Sequence, residues 1–396
     1  LPGLADFKGK IIHPSRWDAN YTGGDSRGDL DGLKGKRVGL IGTGATGIQI
    51  LPHVAQYAEA AYLFQRTPAP VNARNNHATD VDWFKSLKPG WYDERSDNFE
   101  ATTSGVPVDA DLVDDCWTHA AKRLFGATSS VKPDDGMSIG EALQLYDYDL
   151  MESLRSRIDA VVQDSKTAEA LKPWYNLFCK RPLYADDYLE AFNNPNVHLI
   201  ETEGRGVEHV TETGVIVNGQ HYELDCLILA SGFKVGAYDA QTTTFPIIGR
   251  NGIPLSESWA QDIHSLHGLW VHGYPNFQLV GTVIHAALSF NYTWFATEQA
   301  AHAATLISTC LKEGVASMEV TAEAERAWGD LIEEKRMDRT AFNAACTPGF
   351  YNNEGDASKP GLPDRCYGGG GFAYVALTRA WRNGGFRQDT KITRLP

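Results

Sequence analysis

Apolar residues along this chain change rhythm several times, and the changes outline its elements. Val38-Gly39-Leu40-Ile41 is a short continuous apolar run of the kind expected for a strand buried on both faces. From Ala45 to about Glu59 apolar positions recur at helical spacing, and Ala60–Phe64 returns to strand character. Residues 36–64 therefore read as a β-α-β unit of an α/β fold with a parallel sheet. Between about Asp80 and Leu171 the alternation stops and amphipathic helical periods take over, clearest at Ile139–Tyr146 and Leu150–Val162. Strand-like runs return at Val197–Ile200, Gly214–Val217 and Cys226–Ala230. Further on, Tyr292–Leu311 is the strongest helical stretch. Gly368–Gly371 reads as a short mobile loop before a last helix near Phe372–Arg382. Leu1 to about Leu33 is polar and glycine-rich and reads as linker.

These rhythms divide the chain into a linker over 1–35, a dinucleotide-binding domain over 36–80 and 172–230, a helical insertion over 81–171, and a C-terminal part over 231–396. A length of 396 residues leaves room for such a division and a sizeable core. At 42% hydrophobic and 22% charged residues the composition is that of an ordinary globular protein. No window approaches the roughly 20 apolar residues needed to span a bilayer. A secretory pattern is also missing, so the expected location is cytoplasmic. The net charge of −14 repels nucleic acid and anionic membranes, and no basic cluster offsets it. Six cysteines stand far apart without a C-x-x-C pair, which argues against a metal site and against a disulfide framework.

The chemistry begins at the end of the first strand. Gly42, Gly44 and Gly47 form G-x-G-x-x-G between a buried strand and a helix, the context in which that motif binds a dinucleotide. Gly42 permits the tight turn, Gly44 lets backbone approach a pyrophosphate, and Gly47 lets the helix pack on the sheet. Thr46 and Gln49 in the first helical turn add side-chain donors. An acidic residue ending the second strand would select NAD. Here Gln65-Arg66-Thr67 stands in that place, and Arg66 with Thr67 suits the 2′-phosphate of NADP.

Upstream, Phe7, Gly9, His13, Trp17 and Asp18 have the spacing F-x-G-x-x-x-H-x-x-x-W-D. This segment resembles the fingerprint of type I Baeyer–Villiger monooxygenases; the related N-hydroxylating and flavin-containing monooxygenases usually carry Tyr or Phe where Trp17 stands. Ala230-Ser231-Gly232-Phe233 resembles a hinge of the same superfamily, and Lys172–Val197 resembles its Lys-Arg segment. The resemblance implies a two-dinucleotide-binding-domain flavoprotein, with residues 231–396 returning to its FAD domain. It implies that Lys180 touches the 2′-phosphate and that Arg181 is the active-site arginine, a fixed guanidinium facing negative charge that develops on oxygen. His13 and Trp17 it marks as essential to the fingerprint, coupling the domains during the motions between reduction and oxygenation. Gly281–Ala287 with Ser289-Phe290-Asn291 corresponds to a run that lines flavin and substrate, and Phe350–Gly355 to one found with bulky cyclic ketones.

The implied activity is FAD- and NADPH-dependent insertion of one atom of O2 beside a ketone carbonyl, giving an ester or lactone from a cyclic or bulky ketone. Family members carry a second glycine fingerprint for FAD, which these residues lack. An additional FAD-binding segment or a second chain is therefore expected. Two alternatives stand beside this reading: an N- or S-oxygenating flavin monooxygenase, and an inactive NADP-binding fragment or subunit.

Overall fold

The β-α-β unit forms where the apolar runs place it. In the computed structural model, which describes residues 1–129, 138–232, 245–289, 291–336, 338–356, 358 and 361–396, the chain divides into two units. The first comprises Leu1–Thr79 and Ala127–Phe233, the second Asp80–Gly126 and Lys234–Pro396. Phe233 and Phe290, which fall within the expected hinge and the expected substrate-lining run, lie outside the described residues.

Ten strands belong to the first unit: β1 (Lys10–Ile12), β2 (Arg37–Ile41), β3 (Ala60–Gln65), β4 (Val71–Asn72), β5 (Leu183–Tyr184), β6 (Val197–Glu201), β7 (His209–Thr211), β8 (Gly214–Val217), β9 (Gln220–Glu223) and β10 (Cys226–Leu229). Five of them make a parallel sheet in the order β1-β10-β2-β3-β6. Its centre is buried on both faces, which is why Val38, Leu40 and Leu63 read as continuous apolar runs. One face packs on the helix Ala45–Tyr57, through Ile48, Leu51 and Val54, and on the helices carrying Ile158 and Leu171. The other face is covered by the antiparallel meander β7-β8-β9, where Phe7, Phe64, Val210, Val215 and Leu227 make a separate core. Each such aliphatic side chain contributes about 1.5–3 kcal/mol when fully removed from water.

One sequence expectation meets a different structure here, and one is extended. Residues 1–35 are not bare linker. Lys10–Ile12 adds the edge strand β1 in parallel register with Cys226–Ile228, and Phe7 is buried. Ile139–Tyr146 and Leu150–Val162 are one continuous helix, Ile139–Val161, capped by Ser138 and Glu141 in a reciprocal box. In its polar middle Asp147 Oδ1 accepts the Leu177 amide at 2.7 Å.

The second unit is built on helices Trp91–Thr103, Tyr292–Lys312, Ala322–Lys335 and Gly371–Ala380, with an antiparallel pair Val315–Val320 and Thr390–Arg394. Trp270, Trp294, Phe295, Leu306, Trp328, Tyr374 and Trp381 fill its core. Asn291 caps the long helix, its side chain accepting the Trp294 amide at 3.1 Å. Next to that cap Glu100 is fully buried. Ser289 Oγ donates to it at 2.6 Å and Ser104 Oγ at 3.1 Å, with the Asn291 amide at 3.4 Å.

Burial raises the Glu100 carboxyl above the ordinary Glu range, against the pull of those donors. A carboxyl raised in the folded state binds protons more readily folded than unfolded. Its contribution is therefore fully present below the unfolded value and lost as pH rises through the folded one. Glu100→Gln is expected to flatten that fall in thermal stability from about pH 4 upward. An unchanged slope would remove Glu100 as its cause.

Candidate functional site

In a parallel sheet every strand ends on the same edge, and ligands of such folds bind outside those carboxyl ends, where the strand order reverses. Here the chain runs from β2 outward to β3 while β10 lies on the other side of β2, so the reversal falls between β2 and β10. Gly42 leaves β2 at that point. Its φ is +109°, and a Cβ there would lie 2.5 Å from the Ala230 carbonyl oxygen at the end of β10. Gly47 is as constrained by contact, since its Cβ would lie 2.1 Å from the Gly42 oxygen. Gly44 differs: a Cβ there would meet nothing within 4 Å.

The helix that starts at Ala45 has no side-chain cap at Gly44, a feature it shares with the helices behind Gly90 and Gly370, while Asp80, Ser138, Asp164, Asn291 and Thr321 cap others. The first-turn N–H groups thus have no side-chain cap, and they carry the positive end of the helix dipole, an arrangement suited to a phosphate. Thr46 is half-buried in the first turn. Gln49 is exposed, with Nε2 donating to the Ala45 carbonyl at 2.6 Å, so its amide serves the helix itself.

Arg66 follows β3 directly and is exposed; Thr67 is half-buried. The segment after them is stitched to the Lys-Arg segment. Leu183 N donates to the Pro70 carbonyl at 3.0 Å and Ala185 N to the Asn72 carbonyl at 2.9 Å. Asp186 accepts the amides of Arg74, Asn75 and Asn76, each at 2.8 Å. Lys180 ends a short 3-10 turn, Leu177–Cys179, with its ammonium 5.5 Å from the centre of the Tyr175 ring. Arg181 is exposed and leads into β5. The fold thus brings Arg66, Thr67, Lys180 and Arg181 onto two neighbouring segments, although more than 100 residues separate them in sequence.

The fingerprint segment lies at the β1 edge of the same unit. A Cβ on Gly9 would lie 2.7 Å from the Asp225 carbonyl oxygen, so glycine is required for β1 to pair. His13 and Trp17 flank the turn Pro14–Arg16 rather than sharing a helical face. His13 Nδ1 lies 2.8 Å from Ser15 Oγ, and Trp17 Nε1 donates to buried Thr22 Oγ1 at 3.0 Å. Asp18 caps the turn after it and pairs with Lys10, whose ammonium holds its carboxyl below the usual range. In the second unit the stretch Phe350–Gly355 is a self-bonded turn. Asn352, buried there, donates to the Cys346 and Thr347 carbonyls at 3.3 Å each.

Sequence reasoning missed two hydroxyls that position the loop bearing Arg66. Thr43 Oγ1 donates to the Thr67 carbonyl at 2.8 Å, and Tyr175 Oη donates to the Pro68 carbonyl. Thr43 sits inside the glycine motif and could have been suspected there; Tyr175 gave no signal beyond its place beside the Lys-Arg segment. Among the described residues no group of His, Cys, Asp and Glu is placed to hold a metal ion, and no helix is long and apolar enough to cross a membrane.

No protein-family profile matches the chain. Neopentalenolactone D synthase of Streptomyces avermitilis is 43% identical over 395 residues, covering 99% of this chain and 66% of the relative. A Baeyer–Villiger monooxygenase of Stachybotrys chlorohalonatus is 44% identical over 391 residues, covering 97% and 62%. Among solved structures, polycyclic ketone monooxygenase from the thermophilic fungus Thermothelomyces thermophila superposes with a TM-score of 0.85 at 33% identity, covering all of this chain and 65% of that one. The chain thus spans slightly less than two thirds of the length of these proteins, and with the fingerprint, the glycine motif and the Lys-Arg segment in order on one fold, it belongs to the Baeyer–Villiger monooxygenase family.

Proposed function

We propose that this chain carries the NADP-binding half of the chemistry in an FAD- and NADPH-dependent Baeyer–Villiger monooxygenase. The substrate class is a cyclic or polycyclic ketone, and the product an ester or lactone. The observation that carries the reading is the uncapped helix behind Gly44, with Arg66 at the end of the adjacent strand. The uncapped amides of the first turn bind the pyrophosphate, with the Thr46 hydroxyl beside them. Arg66, Thr67 and Lys180 hold the 2′-phosphate. When bound, FAD supplies the redox chemistry and the activation of O2, with NADPH as the source of hydride.

Arg181 presents a permanent positive charge where negative charge develops on oxygen during attack on the carbonyl. His13, Trp17 and Asp18, at the carboxyl-end edge of the sheet, act by holding the fingerprint turn rather than by proton transfer. In support, His13 and Asp18 spend their side chains on local caps and Trp17 on Thr22. The relatives' names support ketone oxygenation over oxygenation of nitrogen or sulfur, and so does Trp17, where N-hydroxylating and flavin-containing monooxygenases usually carry Tyr or Phe.

Two glycine variants separate binding from folding. Gly47→Ala is expected to cost about 1–3 kcal/mol of stability, because the Cβ clash is with backbone. Gly44→Ala, with φ at −75° and open space beside it, should leave the melting temperature unchanged and weaken NADP+. Melting curves with NADP+ titration of the purified protein check both. Undiminished NADP+ affinity in Gly44→Ala would remove the pyrophosphate from this turn.

A further inference from the structure

Two successive carbonyls of the loop behind Arg66 are held by two buried hydroxyls from different parts of the chain. Thr43 reaches Thr67 from the glycine turn, and Tyr175 reaches Pro68 from the Lys-Arg segment. Tyr175 does more than Thr43. The ring whose hydroxyl fixes the backbone two residues past Arg66 also lies under the Lys180 ammonium at 5.5 Å. One side chain therefore touches both cation-bearing segments.

We infer that Tyr175 is the positioning residue of the 2′-phosphate pocket: it sets the spacing between Arg66 and Lys180, and with it the preference for a phosphorylated over an unphosphorylated dinucleotide. The inference rests on the assignment of Arg66 and Lys180 to that phosphate. Its physical basis is preorganisation. Long cationic side chains on a loop must be ordered to bind, and a rooted loop has already met part of that cost. The phenol suits the task. Tyr175 is buried at 8% exposure, which drives its ionisation far above the working range, so its hydroxyl remains a donor to Pro68 at any ordinary pH. A cation over the same ring is attracted by its electron-rich face. Thr43, by contrast, lies in the turn that would meet the pyrophosphate common to both dinucleotides, so its loss would not discriminate between them.

Calorimetric titration of the purified protein with adenosine 2′,5′-bisphosphate and with adenosine 5′-monophosphate isolates the 2′-phosphate. Wild type is expected to prefer the bisphosphate, and Arg66→Ala to lose most of that preference. Tyr175→Phe keeps the ring and loses the hydroxyl. It should cut the preference by about 3–10-fold, the loss of one neutral hydrogen bond, while monophosphate affinity stays as it was. If Arg66→Ala lowers the preference and Tyr175→Phe does not, the inference about Tyr175 fails and the cofactor assignment stands. Equal losses for both ligands in Tyr175→Phe would also overturn it, since they would mark general structural support. No change in Arg66→Ala would overturn the cofactor assignment itself, and the inference with it. Should Tyr175→Phe not fold, Tyr175→Leu decides: it removes both the donor to Pro68 and the ring under Lys180. The same selective loss is expected, and its absence contradicts the proposal.

Discussion

Replacing Arg181 with alanine is expected to abolish ester formation while NADPH oxidation continues. A fixed guanidinium facing developing charge lowers the barrier of one step only, and removing one preorganised donor of this kind costs about 100- to 1,000-fold in rate. Arg181 is exposed at the entry to β5, on a segment stitched to the strand Val71–Asn72. The variant should therefore keep its fold and its hold on NADPH. Product formed per NADPH consumed, with a bicyclic ketone and the full-length protein, is the quantity to measure. A fall to near zero with residual NADPH oxidation is the expected outcome. Unchanged product would take Arg181 out of the oxygenation, and a parallel loss of both would make it a cofactor ligand instead. Lysine at the same position should restore little, because a compact ammonium lacks the planar fork of donors.

Arg66→Ala has the second largest expected effect, on the choice of nicotinamide cofactor. Charged hydrogen bonds of this kind are worth about 1.5–3 kcal/mol, or roughly 10- to 100-fold in affinity for NADPH at 1.4 kcal/mol per decade. NADH makes no such contact, so its affinity should change little. The selectivity ratio, measured as kcat/KM for each cofactor, then falls toward one. Equal losses for the two cofactors would refute the 2′-phosphate assignment. Raised ionic strength should shrink the difference between wild type and variant, because Arg66 is exposed and its charge is screened.

Why part of this was legible in the sequence follows from what each residue answers to. Val38–Ile41 and Gly42, Gly44 and Gly47 are dictated locally. A central strand of a parallel sheet is apolar throughout, and two of the three glycines stand where a Cβ would strike backbone. Asn291 caps its helix through a contact settled within four residues. Strand β1 was not legible. It has three residues, two of them apolar, between Gly9 and Pro14, and its pairing partner Cys226–Ile228 lies more than 200 residues away. The Lys180 and Arg181 pair, taken alone, looks like any surface pair; what gives it a place is the seam to residues 68–76, which only the fold supplies. Tyr175 is the extreme case. Its hydroxyl acts on a carbonyl 107 residues away, and nothing in local spacing announces that. Glu100 is buried through a contact of the same long-range kind, with Ser289, 189 residues on, donating to its carboxylate.

Oxygenation of a ketone at the expense of NADPH, as proposed above, leaves a direct isotopic trace. The most direct measurement is mass spectrometry of the product made by the full-length protein from a bicyclic ketone under labelled 18O2, with FAD and NADPH supplied. A lactone carrying one labelled oxygen, formed in proportion to NADPH and far more slowly with NADH, is the expected product. Consumption of NADPH with no labelled lactone, or oxygenation of an amine in its place, would contradict that proposal.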